Sequence, residues 1–210
     1  MATSGRAAAR TQVQRSDATR ALILNAAVEC LVADGYDRTT TVSVQARAGV
    51  SRGRLLHQFP SRSVLLVAAA QHLASAHIAD MEQWIGRSDV RLADDGERCD
   101  RATELLWETF EQPYFWAAME LWHAARTDPD LRAELLTTER QLGRAIRHVV
   151  ATMYGPTLSS RPGFDDLVEL LFTSMRGAAL TYAVSPRDHA TDPRLVLWRR
   201  VARIALTGGP

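Results

Sequence analysis

Arg52, Arg54, His57 and Gln58 lie within one short stretch, interleaved with Leu55 and Phe59. On a helix, Leu55 and Phe59 share a face four residues apart and turn inward, leaving the four polar side chains outside. A guanidinium can donate two hydrogen bonds to guanine O6 and N7, a pairing worth about 1–3 kcal/mol of base discrimination. His57 and Gln58 can hydrogen-bond phosphate or base, and Leu56 can touch a thymine methyl. The Ser51 and Thr40 hydroxyls, with the free N–H groups at helix starts, can bind phosphate. The same arginines would also serve as plain phosphate contacts or solvated charge.

The elements that must present these groups are legible by local rules. Thr40 caps a short helix to about Ala48, with Val44 and Ala48 on one face. Gly49 suits the positive-φ position of a tight turn, and Val50 plugs the angle between helices. Ser51 caps the next helix, which opens Ser51-Arg52-Gly53-Arg54 and ends before Pro60. Two short helices so joined can lay the second in a DNA major groove, its first turn against base edges. A preceding helix is predicted over about 17–34, where Ile23, Ala26, Ala27, Cys30 and Leu31 recur at helical spacing and Gly35 stops it.

The charge agrees. The net formal charge is +1, but residues 1–62 carry nine arginines and four acids, a balance of +5, while the remainder carries 16 arginines and 20 acids, a balance of −4. A basic end on an acidic body suggests one polyanion-binding region. No lysine occurs, so every cation is a planar guanidinium; codon bias also produces such a composition, so position matters more than abundance. No segment runs apolar for about 18 residues, which argues against a transmembrane span. The N-terminus has no apolar core of a signal peptide. Two cysteines, Cys30 and Cys99, make no disulfide framework, and a cytoplasmic setting is expected.

Together these residues resemble the N-terminal domain of the TetR family of bacterial transcriptional repressors. The resemblance covers about Asp17 to Leu73 and rests on Gly35-Tyr36, Thr39-Thr40, Arg47-Ala48-Gly49-Val50-Ser51, Gly53 and His57-Gln58-Phe59-Pro60-Ser61. It implies a homodimer that binds a palindromic double-stranded DNA operator, with a larger helical domain that dimerises and binds a small-molecule effector whose arrival releases DNA. Arg62 falls where the family usually has a phosphate-contacting lysine. Leu56 replaces a common tyrosine, Gln45 a small alanine, Arg54 a small or hydroxylated residue and Ser63 an acidic one, so an unusual operator is expected.

The fold class expected is all-α with about nine helices. Residues 1–16 form a flexible arm, 17–62 the helix-turn-helix domain, 63–85 a connecting helix and 86–210 the ligand-binding and dimerisation domain. In the last, helices are predicted over about 98–111, 114–126, 130–154, 164–184 and 193–206, with loops at 86–96 and 186–192 and a linker at 155–163. Large soft side chains gather there, and Trp84, Trp107, Phe110, Met119, Trp122, Phe172 and Met175 are candidate pocket residues for an apolar or aromatic ligand. The same spacing, as in Phe115, Met119 and Trp122, is first of all a core-packing pattern. His123, Gln141, Arg144 and Arg176 are the polar candidates; Arg176 would pair with Glu120 or Glu169 or meet an acidic ligand. Val168, Leu171, Ala178 and Tyr182 on one helix, with Leu197, Trp198, Val201 and Ala205 on the last, offer dimer faces.

Catalysis is not expected. The six histidines show no His-Glu-x-x-His spacing, and no Cys-x-x-Cys, phosphate loop or nucleophile elbow occurs. No cofactor or metal is called for. Two alternatives stay open: a thiol-based redox sensor through Cys99, between Arg98 and Arg101 but beside Asp100, or through Cys30; and a nonspecific DNA binder, salt-dependent but indifferent to sequence.

Overall fold

A computed structural model describes residues 3–87 and 94–208, with side chains described from Ser16 onward save at a few positions. Among the described residues there are nine α-helices, two three-residue 3-10 turns and no strand. The helices are α1 (Thr3–Arg38), α2 (Thr41–Ala48), α3 (Arg52–Gln58), α4 (Arg62–Arg87), α5 (Asp95–Glu108), α6 (Pro113–Ala124), α7 (Pro129–Ser159), α8 (Phe164–Tyr182) and α9 (Pro193–Thr207). The expected all-α architecture and helix number are met. No described helix is long and apolar enough to cross a membrane.

The chain divides into two compact units, Met1–Ser75 with Trp116–Arg140, and Ala76–Phe115 with Gln141–Pro210. This departs from the boundaries expected from sequence. Residues 116–140 join the helix-turn-helix instead of the effector domain, because Ala117, Leu121, Leu131 and Leu135 pack into its core. The arm expected at 1–16 is also revised: α1 is helical from Thr3. Alanine, arginine and glutamine dominate there, and all three are good helix formers once a helix exists to extend.

In the first unit, Ile23, Ala27 and Leu31 of α1 recur every fourth residue and are completely buried. Val44 of α2, Leu55 and Phe59 around α3, and Leu65, Leu66 and Ala69 of α4 meet them in one cluster. Each such valine, leucine, isoleucine or phenylalanine side chain contributes about 1.5–3 kcal/mol on burial. Helix α1 leaves helical geometry at Gly35, whose φ is 75° and ψ 175°.

The second unit is organised around Trp107, Tyr154, Leu158, Leu171, Met175 and Ala202. Helix α9 is strapped to α5 by Arg203, whose Nε and Nη2 donate to the two Asp100 oxygens at 2.7 Å each, and by Arg199 on Glu104. Helix α7 turns out of helical geometry at Gly155 before Pro156. The expected linker therefore starts with a kink and resumes as helix to Ser159.

Candidate nucleic-acid interface

Each end of α2 and α3 is fixed locally. The Thr40 side chain accepts the Ser43 N–H at 3.1 Å while Ser43 Oγ accepts the Thr40 N–H at 2.9 Å, a reciprocal capping box. Gly49 takes the left-handed conformation (φ 65°, ψ 30°), and the Val50 N–H then donates back to the Gln45 carbonyl at 3.3 Å. Ser51 Oγ accepts the Arg54 N–H at 3.3 Å, which leaves its own hydroxyl hydrogen to donate outward.

Helix α3 is held from behind by Leu55 and Phe59, both with no exposed surface. Ser51, Arg52, Gly53, Arg54, Leu56 and His57 are exposed on its other side. Among the described residues, the Arg52 and Arg54 guanidiniums have no hydrogen bond or ion pair, and neither has His57. Polar side chains left unsatisfied by the protein and aimed away from its core are available to a partner. Gln58 is half-buried and spends one amide N–H on Ser16 Oγ at 2.9 Å. Arg20, a residue that sequence reasoning missed, lies with its guanidinium 4.5 Å from the centre of the Phe59 ring.

Arg62 departs from the expected phosphate contact. Its Nε donates to the Thr39 carbonyl at 2.6 Å and its Nη2 to the Tyr36 carbonyl. Its plane covers the Tyr36 ring at 3.9 Å. Tyr36 in turn donates its N–H to Glu120 Oε2 at 2.9 Å and its hydroxyl to Asp128 Oδ2 at 2.8 Å. Burial and the bond to Asp128 push the Tyr36 phenol up to about 12. The Leu131 N–H and then the Tyr36 hydroxyl hold the Asp128 carboxyl below its usual value. Glu120 and Asp128 carried no signal in the sequence, since they stand 84 and 92 positions from Tyr36.

The proposed ligand residues are divided between the two units. Trp107, Phe110, Gln141, Phe172, Met175 and Arg176 belong to the second unit; Met119, Trp122 and His123 belong to the first. The Trp84 side chain lies outside the described residues. Trp107 is spent on packing: it stacks on His189 at 4.3 Å and meets Trp198 at 4.7 Å, with Nε1 donating to the His189 carbonyl at 2.9 Å. Phe110 meets Phe115 and Phe172 edge-on, and Met175 is fully buried. Trp122, His123, Gln141 and Arg144 are exposed, and Trp122 Nε1 donates to Glu139 at 2.9 Å. Core packing accounts for most of these aromatics.

The expected dimer faces are corrected in the same way. Val168, Leu171, Ala178, Tyr182 and Trp198 are buried within the subunit, so they are not available to a partner. The large apolar residues exposed on α8 and α9, or just past α8, are Leu170, Leu180, Val184, Val196, Leu197 and Ile204; of the predicted set, Leu197 and Ala205 are exposed and Val201 is half-buried. The thiol-sensor alternative loses its chemistry. Cys99 is fully buried, and burial followed by Asp100 pushes its thiol up to about 12, outweighing Arg203. Arg101 is drawn away to Glu104 and Glu108. Burial likewise raises the Cys30 thiol.

Residues 23–69 match the family model described as bacterial regulatory proteins, tetR family. The HTH-type transcriptional regulator CymR of Pseudomonas putida is 34% identical over 179 residues, covering 81% of this chain and 82% of that protein. The HTH-type transcriptional repressor AcnR of Corynebacterium efficiens is 28% identical over 131 residues, 61% of this chain and 62% of that one. The same fold occurs in the transcriptional regulator FadR of Bacillus subtilis, crystallised with stearoyl-CoA, at TM-score 0.60 and 14% identity over 89% of this chain and 97% of that one. A capped helix pair presenting arginines that have no partner among the described residues, set in a chain that follows CymR along most of its length, is thus a DNA-binding transcriptional regulator and no enzyme, and it belongs to the TetR family.

Proposed function

We propose that this chain is a ligand-responsive repressor that binds a palindromic operator as a homodimer and leaves it when a small effector arrives. The observation that carries the DNA half is the contrast across α3: Leu55 and Phe59 wholly buried, Arg52, Arg54 and His57 exposed and without partners among the described residues. Arg54 and Arg52 read base edges. Ser51, Thr40 and His57 hold phosphates, Gly53 lets the backbone approach closely, and Leu56 meets a thymine methyl. Gln58 contributes through the amide atoms it does not spend on Ser16.

A repressor role is supported by the likeness to AcnR, a protein named as a repressor. An effector is supported by FadR, which shares this fold and is in complex with stearoyl-CoA. The aromatic Phe110 and Phe172 favour an apolar or aromatic molecule, with Arg176 as a polar partner.

The test is a mobility-shift titration on the DNA upstream of the chain's own gene. Arg54→Ala is expected to lower operator affinity by about 5- to 150-fold while leaving binding to random DNA nearly unchanged, the range that a 1–3 kcal/mol base contact predicts. Equal losses on operator and random DNA would reassign Arg54 to phosphate. A wild-type protein that did not discriminate the two DNAs would be a nonspecific binder.

A further inference from the structure

Tyr36, just past the kink near the end of α1, is gripped by several distant segments at once. Gly35 breaks helical geometry with φ 75°, so the Tyr36 N–H is turned out to Glu120 on α6. The space on that side is tight: a Cβ at Gly35 would lie 3.3 Å from Glu120 Oε2. The Tyr36 hydroxyl reaches Asp128, whose other oxygen accepts the Leu131 N–H at 2.9 Å and so caps α7. The Tyr36 carbonyl accepts from Thr39 N–H at 3.1 Å and from Arg62 at the start of α4. The buried Thr39 hydroxyl donates back to the Gly35 carbonyl at 2.7 Å. Immediately after comes Thr40, the cap of α2.

We propose that Glu120 and Asp128, through Tyr36, are positioning residues for operator binding: the α6–α7 turn sets where α2, and with it α3, begins. The inference rests on the operator reading above. Covalent geometry gives it force. Only Asp37, Arg38 and Thr39 separate Tyr36 from the α2 cap, and both the N–H and the carbonyl of Thr39 are already bonded, to the Tyr36 carbonyl and to Arg62. A shift of Glu120 or Asp128 is therefore passed to the cap and not absorbed by slack chain. The chain enters this unit along α6 and leaves it along α7, so the turn between them is where a change elsewhere in either helix would arrive. Tyr36 stays a hydrogen donor and Asp128 an ionised acceptor at neutral pH, since the phenol is raised and the carboxyl lowered.

The full chain and its upstream DNA fragment provide the test. Glu120→Ala removes the acceptor; Glu120→Gln keeps an amide oxygen that can take the Tyr36 N–H; Tyr36→Phe deletes only the hydroxyl to Asp128. Glu120→Ala and Tyr36→Phe should each lower operator affinity by about 2- to 30-fold, and Glu120→Gln should restore most of it. The salt dependence should stay at the wild-type slope, because no phosphate contact is lost. Amide hydrogen exchange of residues 40–44 should quicken in the two damaging variants. Unchanged affinity in Glu120→Ala, or equal affinity in the alanine and glutamine variants, overturns the inference. Should Glu120→Ala fail to fold, Tyr36→Phe decides: wild-type affinity there overturns it. Wild-type protein that ignored its upstream DNA would overturn the operator reading and this with it, whereas tight wild-type binding with unmoved variants sinks the positioning role alone.

Discussion

A guanidinium has donors around its rim and two flat faces, and Arg62 uses both: two carbonyls at the edge, an aromatic ring beneath. Sequence placed it correctly at the start of α4 and read it only as a phosphate contact, because the carbonyls it faces within the protein lie 23 and 26 positions away. Arg52 and Arg54 carry the same group with no internal partner among the described residues, and their availability was legible from the Leu55 and Phe59 spacing alone. His189 shows the opposite limit. It is buried between Trp107 and Tyr182, and its Nδ1 has no hydrogen-bond partner among the described residues. Burial lowers its tendency to take a proton; Glu111, 3.7 Å from Nδ1, and Asp188 oppose this more weakly. The folded protein therefore holds fewer protons on this residue than the unfolded chain does below the ordinary value of 6.5. Its contribution to stability is complete above that pH and declines as pH falls through it. Thermal melts between pH 8 and 5 should show a steeper fall for the wild type than for His189→Gln; parallel curves would mean that the imidazole charges freely in place.

At the scale of elements, α2 and α3 were readable because every signal is local: a threonine cap, a glycine at positive φ, a serine cap, an i, i+4 apolar pair and a closing proline. What required the third dimension was long-range. Residues 116–140 pack with the helix-turn-helix through Ala117, Leu121 and Leu131, and no period in those helices says which core they enter. Helix α8 is apolar on more than one side, so hydrophobicity alone could not say whether Val168 and Leu171 or Leu170 and Leu180 face inward. The two glycines of the recognition segment make a sharp contrast. Gly49 has φ 65° and open space around a would-be Cβ, so Gly49→Ala meets only backbone strain, about 1 kcal/mol of destabilisation. Gly53 sits within α3 without that conformation, also in open space. Gly53→Ala should stabilise the fold by about 0.5–1 kcal/mol, yet add a methyl on the face that meets DNA and weaken operator binding. Urea unfolding and a mobility shift on the same two variants check both signs. A Gly53→Ala protein that was both more stable and fully competent for DNA would remove that glycine from the interface.

For the molecule as a whole, the question is what covers α8 and α9. Of the twelve large hydrophobics exposed among the described residues, Leu170, Leu180, Val184, Val196, Leu197 and Ile204 lie on these two helices or at the exit of α8. On α8, Leu170, Gly177 and Leu180 fall on one stripe, with Thr173 between them, and Val184 follows in the turn just past the helix. The second unit has already buried the opposite side of the helix, so this stripe is surplus to its own core. Large apolar side chains left outside in such number on neighbouring elements are what an interaction site would use. A second copy of the chain is the partner that the proposed palindromic operator would call for, because a two-fold pair presents two identical recognition helices. In such an isologous interface every substitution counts twice. Leu170→Asp or Leu197→Asp would place a carboxylate from each copy in a contact that must cover about 800 Å² per partner. Either change should shift the protein to monomer in sedimentation velocity at micromolar concentration, while its melting temperature in dilute solution stays near that of dissociated wild type. Operator affinity should drop toward the value for a single half-site, and binding to an isolated half-site should be unaffected. Val168→Ala is the informative contrast: a core truncation of this kind should destabilise each subunit by about 1–3 kcal/mol and leave association unchanged. If Leu170→Asp and Leu197→Asp both remained dimeric, another surface would have to join the two copies, and the exposed stripe would need a different partner.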